Sequence, residues 1–145
     1  MIMKRIAKIK AEDTYEIRLA ELRKGVSLSH KMKGDQESST LHLGLFNNEE
    51  LLCVGSFMRA NHEAFKGIQY QLRGMATKKP AQGKGHGKEL LGEAENRLKA
   101  SKVETLWCNA RIGALDFYRV QGYTVWGEPF EVPEIGVHYV MYKHL

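Results

Sequence analysis

Gln82-Gly83-Lys84-Gly85-His86-Gly87 stands between a run rich in apolar and long side chains, Ile68 to Thr77, and an apolar stripe at helical spacing, Leu90, Leu91, Ala94 and Leu98. Pro80 breaks the run before the glycines begin. The pattern predicts a strand, a glycine-rich turn, and a helix that starts near Gly85 and runs to about Ala100. Glycines one residue apart let the backbone approach a ligand, with successive N–H groups turned into one concavity. The helix behind adds the positive end of its dipole, so such a turn favours a phosphate. Lys84 and Lys88 add charge, and His86 reads as a loop residue.

Two common phosphate loops do not fit. A Walker A loop needs Gly, four residues, then Gly-Lys-Ser/Thr. Here Gln82 takes the first glycine position, and Glu89 stands where the magnesium-binding hydroxyl belongs. A dinucleotide fingerprint needs Gly-x-Gly-x-x-Gly. Counted from Gly83 its last position is Lys88, and counted from Gly85 it is Leu90. Taken alone, the stretch also reads as an ordinary glycine-rich surface turn.

Upstream, Met1 to Lys10 reads as a first strand, with Ile2, Ile6 and Ile9 roughly in register. Asp13 followed by Glu16 resembles a capping box and predicts a helix to about Lys24, stopped by Gly25. Val26 to Thr40 is polar and reads as a loop or broken helix. Leu41 to Phe46 and Leu51 to Met58 form a predicted hairpin around Asn47-Asn48-Glu49-Glu50, since Asn tolerates the left-handed conformations of tight turns. Downstream, Thr105 to Ala110 predicts a strand and Gly113 to Gln121 a helix stopped by Gly122. Tyr123 to Phe130 and Val137 to Lys143 predict closing strands. With no repeat or linker in 145 residues, one domain over residues 1–145 is expected, α/β or α+β with a mixed sheet.

The composition is 43% hydrophobic and 27% charged, ordinary for a globular chain. No run of eighteen apolar residues is present, and the N-terminus lacks the apolar core of a signal peptide. Neither a membrane partner nor a secreted location is expected. Cys53 and Cys108 make no ligand or redox spacing and suit free thiols in a cytoplasmic protein, although sequence leaves a bridge open. His30, His42, His62 and His144 show no ligand spacing, so no metal is expected. Trp107 and Trp126 read as core or wall. The 22 basic and 17 acidic side chains give +5, which favours an anionic partner or is only a solvated surface. No nucleic-acid recognition motif accompanies it.

Gln82, Gly85 and Gly87 match the pattern Gln/Arg-x-x-Gly-x-Gly/Ala, and here the chain resembles the GNAT superfamily of N-acetyltransferases, whose loop of this form holds the pyrophosphate of acyl-CoA. Leu72-Arg73-Gly74-Met75-Ala76-Thr77 resembles the family's central strand. Asn109-Ala110-Arg111 and Phe117-Tyr118-Arg119-Val120-Gln121-Gly122-Tyr123 resemble its later strand and helix. Within it, Ala11 to Arg18, Tyr70 to Thr77, Leu106 to Arg111, Pro133 to His138 and Met141-Tyr142-Lys143 resemble the glyphosate N-acetyltransferase group. Lys78-Lys79-Pro80-Ala81 is more basic than the family entry to the loop, and Lys24 to Thr40 shows little likeness.

The resemblance implies a mostly antiparallel central sheet flanked by helices, with two central strands splayed apart. It implies acetyl-CoA as co-substrate, held by Gln82, Gly83, Lys84, Gly85, His86, Gly87 and Lys88 and by the backbone of Met75, Ala76 and Thr77. Acetylation must deprotonate an ammonium, stabilise an oxyanion and protonate a leaving thiolate. Histidine is the side chain suited to general-base work near neutral pH, and His138 matches the family's base position. Tyr118 carries a phenol that can act as the acid. Arg23, Arg73 and Arg111 match positions that hold a substrate anion in the resembling group, and arginine grips carboxylate or phosphonate in a bidentate fork. A small anionic amine is therefore the expected acceptor. A peptide amine, a polyamine or a non-catalytic CoA sensor are the alternatives, and oligomeric state, a homodimer included, is left open.

Overall fold

In a computed structural model, residues 3–145 are described. Among these residues seven strands form one sheet: β1 (Lys4–Lys8), β2 (Leu41–Asn47), β3 (Glu50–Arg59), β4 (Gln69–Thr77), β5 (Thr105–Arg111), β6 (Thr124–Val132) and β7 (Gly136–His144). Their order is β1-β2-β3-β4-β5-β7-β6. Every neighbouring pair is antiparallel except β4 and β5. A parallel pair needs a crossover, and helix α2 (His86–Ala100) supplies it. Two shorter helices, α1 (Tyr15–Leu22) and α3 (Leu115–Val120), complete the fold, which is the mixed, mostly antiparallel architecture expected.

Alternation along the strands divides the core. Cys53 and Phe57 on β3 join Leu90, Leu91, Ala94 and Leu98 of α2 in the larger cluster. Val54 joins Ile17 of α1 and Ala76 in the smaller one. Leu72 and Met75, three residues apart on β4, both pack on the larger cluster, which regular alternation forbids. A bulge resolves the conflict. Arg73 pairs with Ser56 and Ala76 with Val54, so Gly74 and Met75 share the space opposite Gly55. Gly74 has φ +65°, and a Cβ there would lie 3.0 Å from Arg18 Nε. Glycine at this position both turns the strand and lets α1 sit close to the sheet.

The hairpin forms as expected, with Asn48 in the left-handed region at φ 57°. Three expected elements differ in extent. The first strand covers Lys4–Lys8 rather than Met1 to Lys10, and Ile2 lies outside the described residues. Ahead of α1 comes a 3-10 turn, Ala11–Thr14, in which the Asp13 carboxylate accepts the Lys10 N–H at 2.9 Å. Asp13 is therefore the residue that reaches back, and α1 ends at Leu22 instead of Lys24. The helix expected from Gly113 is a 3-10 turn, Ile112–Ala114, followed by α3. Cys53 and Cys108 are both free and buried, so the bridge left open by sequence does not form. Trp107 is buried and donates its indole N–H to Ala60 O, whereas Trp126 is exposed on edge strand β6. Among the described residues no helix is long and apolar enough to cross a membrane.

Candidate active site

The β4–β5 ladder holds only from Gln69/Thr105 to Leu72/Cys108. Both strands continue, β4 to Thr77 and β5 to Arg111, but they no longer pair. The edge of β4 that faces β5 thus presents free backbone groups from Arg73 onward, which buried backbone does not tolerate without a partner. A cleft of about 550 Å³ opens at this divergence. It brings together Arg23, Arg73, Met75, Arg111, Tyr118 and His138, six residues singled out in the sequence.

Each reaches the cleft from a different element. His138 lies on β7 directly across from Arg111 on β5. Its ring is buried, and Nδ1 is 2.9 Å from Gly136 O. A carbonyl can only accept, so Nδ1 carries the proton and Nε2 of the neutral ring keeps its lone pair. Arg23, just past α1, donates from Nε to Ser29 O at 3.0 Å and from Nη1 to Leu22 O at 3.1 Å. Arg111 donates to the same Leu22 carbonyl at 3.2 Å. Burial, then the charges of Arg111, Arg73 and Arg18, pull the Arg23 pKa down. Burial and the charge of Arg18 do the same to Arg73, against the opposing pull of Asp35. No ion pair among the described residues involves Arg23, Arg73 or Arg111.

Tyr118 is buried beside Cys108 at the cleft floor. Burial, with Cys108 adding to it, pushes the phenol well above its usual pKa. Burial also pushes the Cys108 thiol up to about 12, against the opposing Tyr118 hydrogen bond. A thiolate formed here is therefore strongly basic, shifted in the same direction as the phenol beside it.

The glycine turn lies outside the cleft lining, at the end of β4. Ala76 and Thr77 lead into it, paired on their other edge with Val54 and Cys53. Gln82 Nε2 donates to Thr77 O at 2.9 Å and contacts Glu21 Oε1 at 3.3 Å, so this side chain braces the turn against strand and helix. Gly83 and Gly85 have φ +77° and +83°, and a Cβ at either would meet nothing within 4 Å. The last turn bond before the helix is Gln82 N–H to Lys79 O, and the next is Glu89 N–H to Gly85 O. The six amides from Gly83 to Lys88 make no backbone or side-chain bond among the described residues, and they sit at the N-terminus of a fifteen-residue helix. Lys84 and Lys88 are exposed around them. His86 is not in the loop but is the first residue of α2, buried, with Nδ1 unpartnered. This open, acceptor-free cradle fits the pyrophosphate of CoA, and the unpaired edge of β4 fits its amide-bearing arm.

Sequence reasoning missed the wall opposite the strands. Leu28, Ser29, Lys31, Met32 and Lys33 line the cleft from the polar segment that carried no pattern. Beneath them Arg18, fully buried, grips Asp35 through two bonds of 2.8 and 3.0 Å and donates to Ser56 Oγ at 2.8 Å. His42 closes the network, with Nδ1 2.6 Å from Ser56 Oγ and Nε2 2.9 Å from Asp35 O.

Comparison with known proteins gives the family. Residues 10–144 match the acetyltransferase (GNAT) domain. A Bacillus subtilis (strain 168) protein named the uncharacterized N-acetyltransferase YitI is 39% identical over 145 residues, covering 99% of this chain and 97% of its own. An acyl-CoA N-acyltransferase from Pseudomonas aeruginosa superposes with TM-score 0.78 at 14% identity, covering 99% of each chain. An aminoglycoside 6'-N-acetyltransferase complexed with coenzyme A superposes with TM-score 0.77 at 10% identity, over 97% of this chain and 96% of its own. With a splayed parallel pair, a free amide cradle and this match over nearly its whole length, the chain belongs to the GNAT family and is an acetyl-CoA-dependent N-acetyltransferase.

Proposed function

We propose that the acceptor is a small amine carrying a carboxylate or phosphonate. One observation carries this reading: three arginines line one cleft, the charges of Arg111 and Arg73 add to burial in pulling the Arg23 pKa down, and no carboxylate among the described residues forms an ion pair with any of them. Like charges held together without a counter-ion cost free energy that an incoming anion removes. The likeness of several segments to the glyphosate N-acetyltransferase group supports the same substrate class. A polyamine or lysine acceptor meets repulsion from the same charges.

Acetyl-CoA, when bound, supplies an acetyl thioester that the amine attacks directly, the C–N bond forming as the C–S bond breaks. Arg23, Arg73 and Arg111 hold the acceptor's anion and so orient its nitrogen. His138 takes the ammonium proton at Nε2. The Met75 N–H, on β4 beyond the last β4–β5 pair, donates to the developing oxyanion. Tyr118 keeps its proton at every physiological pH and delivers it to the leaving sulfur. No covalent enzyme intermediate is required.

The test is release of free CoA thiol from acetyl-CoA against amino acids, aminophosphonates, polyamines and peptides. Selective turnover of the anionic amines is expected. Turnover confined to cationic or peptide amines overturns the arginine pocket. Tight CoA binding without turnover of any amine favours a sensor instead.

A further inference from the structure

The segment between α1 and β2 has no regular structure, yet it is pinned. The Asp35 carboxylate, besides its two bonds to Arg18, accepts the Met32 N–H at 2.8 Å. Arg18 Nη1 also donates to His30 O at 2.9 Å, and the Thr40 hydroxyl donates to Gly34 O at 2.6 Å. A buried ion pair therefore fixes the backbone on both sides of Lys31 and Lys33 from beneath. Both lysines line the cleft. The Lys31 ammonium sits 5.8 Å from the centroid of the Tyr15 ring, and neither lysine belongs to an ion pair among the described residues. Among the described residues the cleft lining thus carries five cationic side chains and no acidic one. One carboxylate neutralises a fraction of that charge and leaves the outer wall without a partner.

We propose that Lys31 and Lys33 form an outer anion subsite, so that the preferred acceptor carries a second anionic group beyond the one the arginines hold. This rests on the anionic-amine reading and extends it to residues that serve specificity rather than chemistry. Exposed charge pairs contribute little singly, about two- to fivefold in affinity each, so the two lysines together contribute about tenfold.

The experiment uses the full chain with saturating acetyl-CoA and matched amine pairs that differ by one anionic group, alanine against aspartate and serine against phosphoserine. Wild type is expected to show lower KM for the second member of each pair. The Lys31→Met/Lys33→Met variant, altered only at exposed positions, is expected to raise KM for that member about tenfold. KM for the first member and for acetyl-CoA should stay within about twofold. The Lys31→Arg/Lys33→Arg variant should restore the preference. A double variant that shifts both members alike, or neither, overturns the subsite while leaving the arginine pocket standing. Failure of wild type to acetylate any of the four overturns the anionic-amine reading and the subsite with it.

Discussion

Asp35→Ala tests whether the wall of the proposed acceptor cleft is held by the buried ion pair. The substitution removes both carboxylate bonds to Arg18 and the acceptor of the Met32 N–H. Arg18 is left fully buried, keeping His30 O and Ser56 Oγ, with Nε already unpartnered. Breaking one side of a buried pair costs about 3–5 kcal/mol, because the remaining charge is uncompensated. In a domain of this size that is a large share of the roughly 5–15 kcal/mol available, and it lowers Tm by about 10–15 °C. Denaturant and thermal unfolding measure both. Replacing both partners, Arg18→Met with Asp35→Leu, removes the charge altogether and should recover most of the loss, giving a coupling of about 2 kcal/mol or more in a double-mutant cycle. The cost should also depend on pH. Burial pulls the Asp35 carboxyl upward, but the Arg18 hydrogen bonds, the Met32 N–H and the charges of Arg18 and His42 outweigh it, leaving it below the ordinary carboxylate range. A depressed folded pKa stabilises above the unfolded value of about 3.9, and that contribution is lost as pH falls through the folded value. Wild type and variant should therefore converge in acid. A loss below about 1 kcal/mol at neutral pH, or a double variant as unstable as the sum of the singles, refutes the latch.

His138→Ala should lower kcat by about 10²–10⁴-fold with acetyl-CoA affinity unchanged, measured by steady-state rates and calorimetry; near-wild-type turnover across pH would remove the base. Gly74→Ala forces a side chain into a left-handed position 3.0 Å from Arg18 Nε and 3.5 Å from Met32 Cε, so stability should fall by about 1–3 kcal/mol and acceptor KM should rise. Burial pushes the Cys53 thiol up to about 11 and the Cys108 thiol up to about 12. A raised folded pKa stabilises fully below the unfolded value near 8.5 and is lost as pH rises toward the folded one, so Tm should fall through the window from about 9 to 11. Both thiols should resist iodoacetamide at pH 8 until the chain unfolds.

The cofactor half of the molecule was legible because its determinants are contiguous. A strand, a breaker, spaced glycines and an apolar stripe occupy Ile68 to Ala100, and each dictates its own backbone. The cleft proposed to take the acceptor is assembled from the end of α1, the segment before β2, and β4, β5, α3, β6 and β7, so no window of sequence contains it. Arg23, Arg73, Arg111 and His138 entered the reading through resemblance, not through spacing. Arg18 and Asp35 were missed because a buried charge leaves no periodic signature: Arg18 follows Ile17 on a short helix, and Asp35 sits in an otherwise solvated run. His86 was misplaced by a single residue, since helix starts among glycines are set by free amides rather than by side-chain pattern.

The net charge acquires a location once the cleft is known. The chain has 22 basic and 17 acidic side chains, an excess of five. Five basic and no acidic side chains line the cleft, namely Arg23, Lys31, Lys33, Arg73 and Arg111. Taking these five from the 22 leaves 17 basic against 17 acidic over the rest of the chain, so the remainder is balanced. A basic surface built for nucleic acid distributes its excess along an exposed face or groove wide enough for a duplex or strand. Here the whole excess is gathered in a cavity of about 550 Å³, which admits a small molecule. Low-dielectric walls focus such a field and draw small anions inward. If the amine enters beside His138 as proposed, the same field disfavours its ammonium form and so assists the proton loss that must precede attack. On the proposed reading, charge that appears in the sequence as a generic bias is, in the fold, both the selector of the acceptor and part of what activates it.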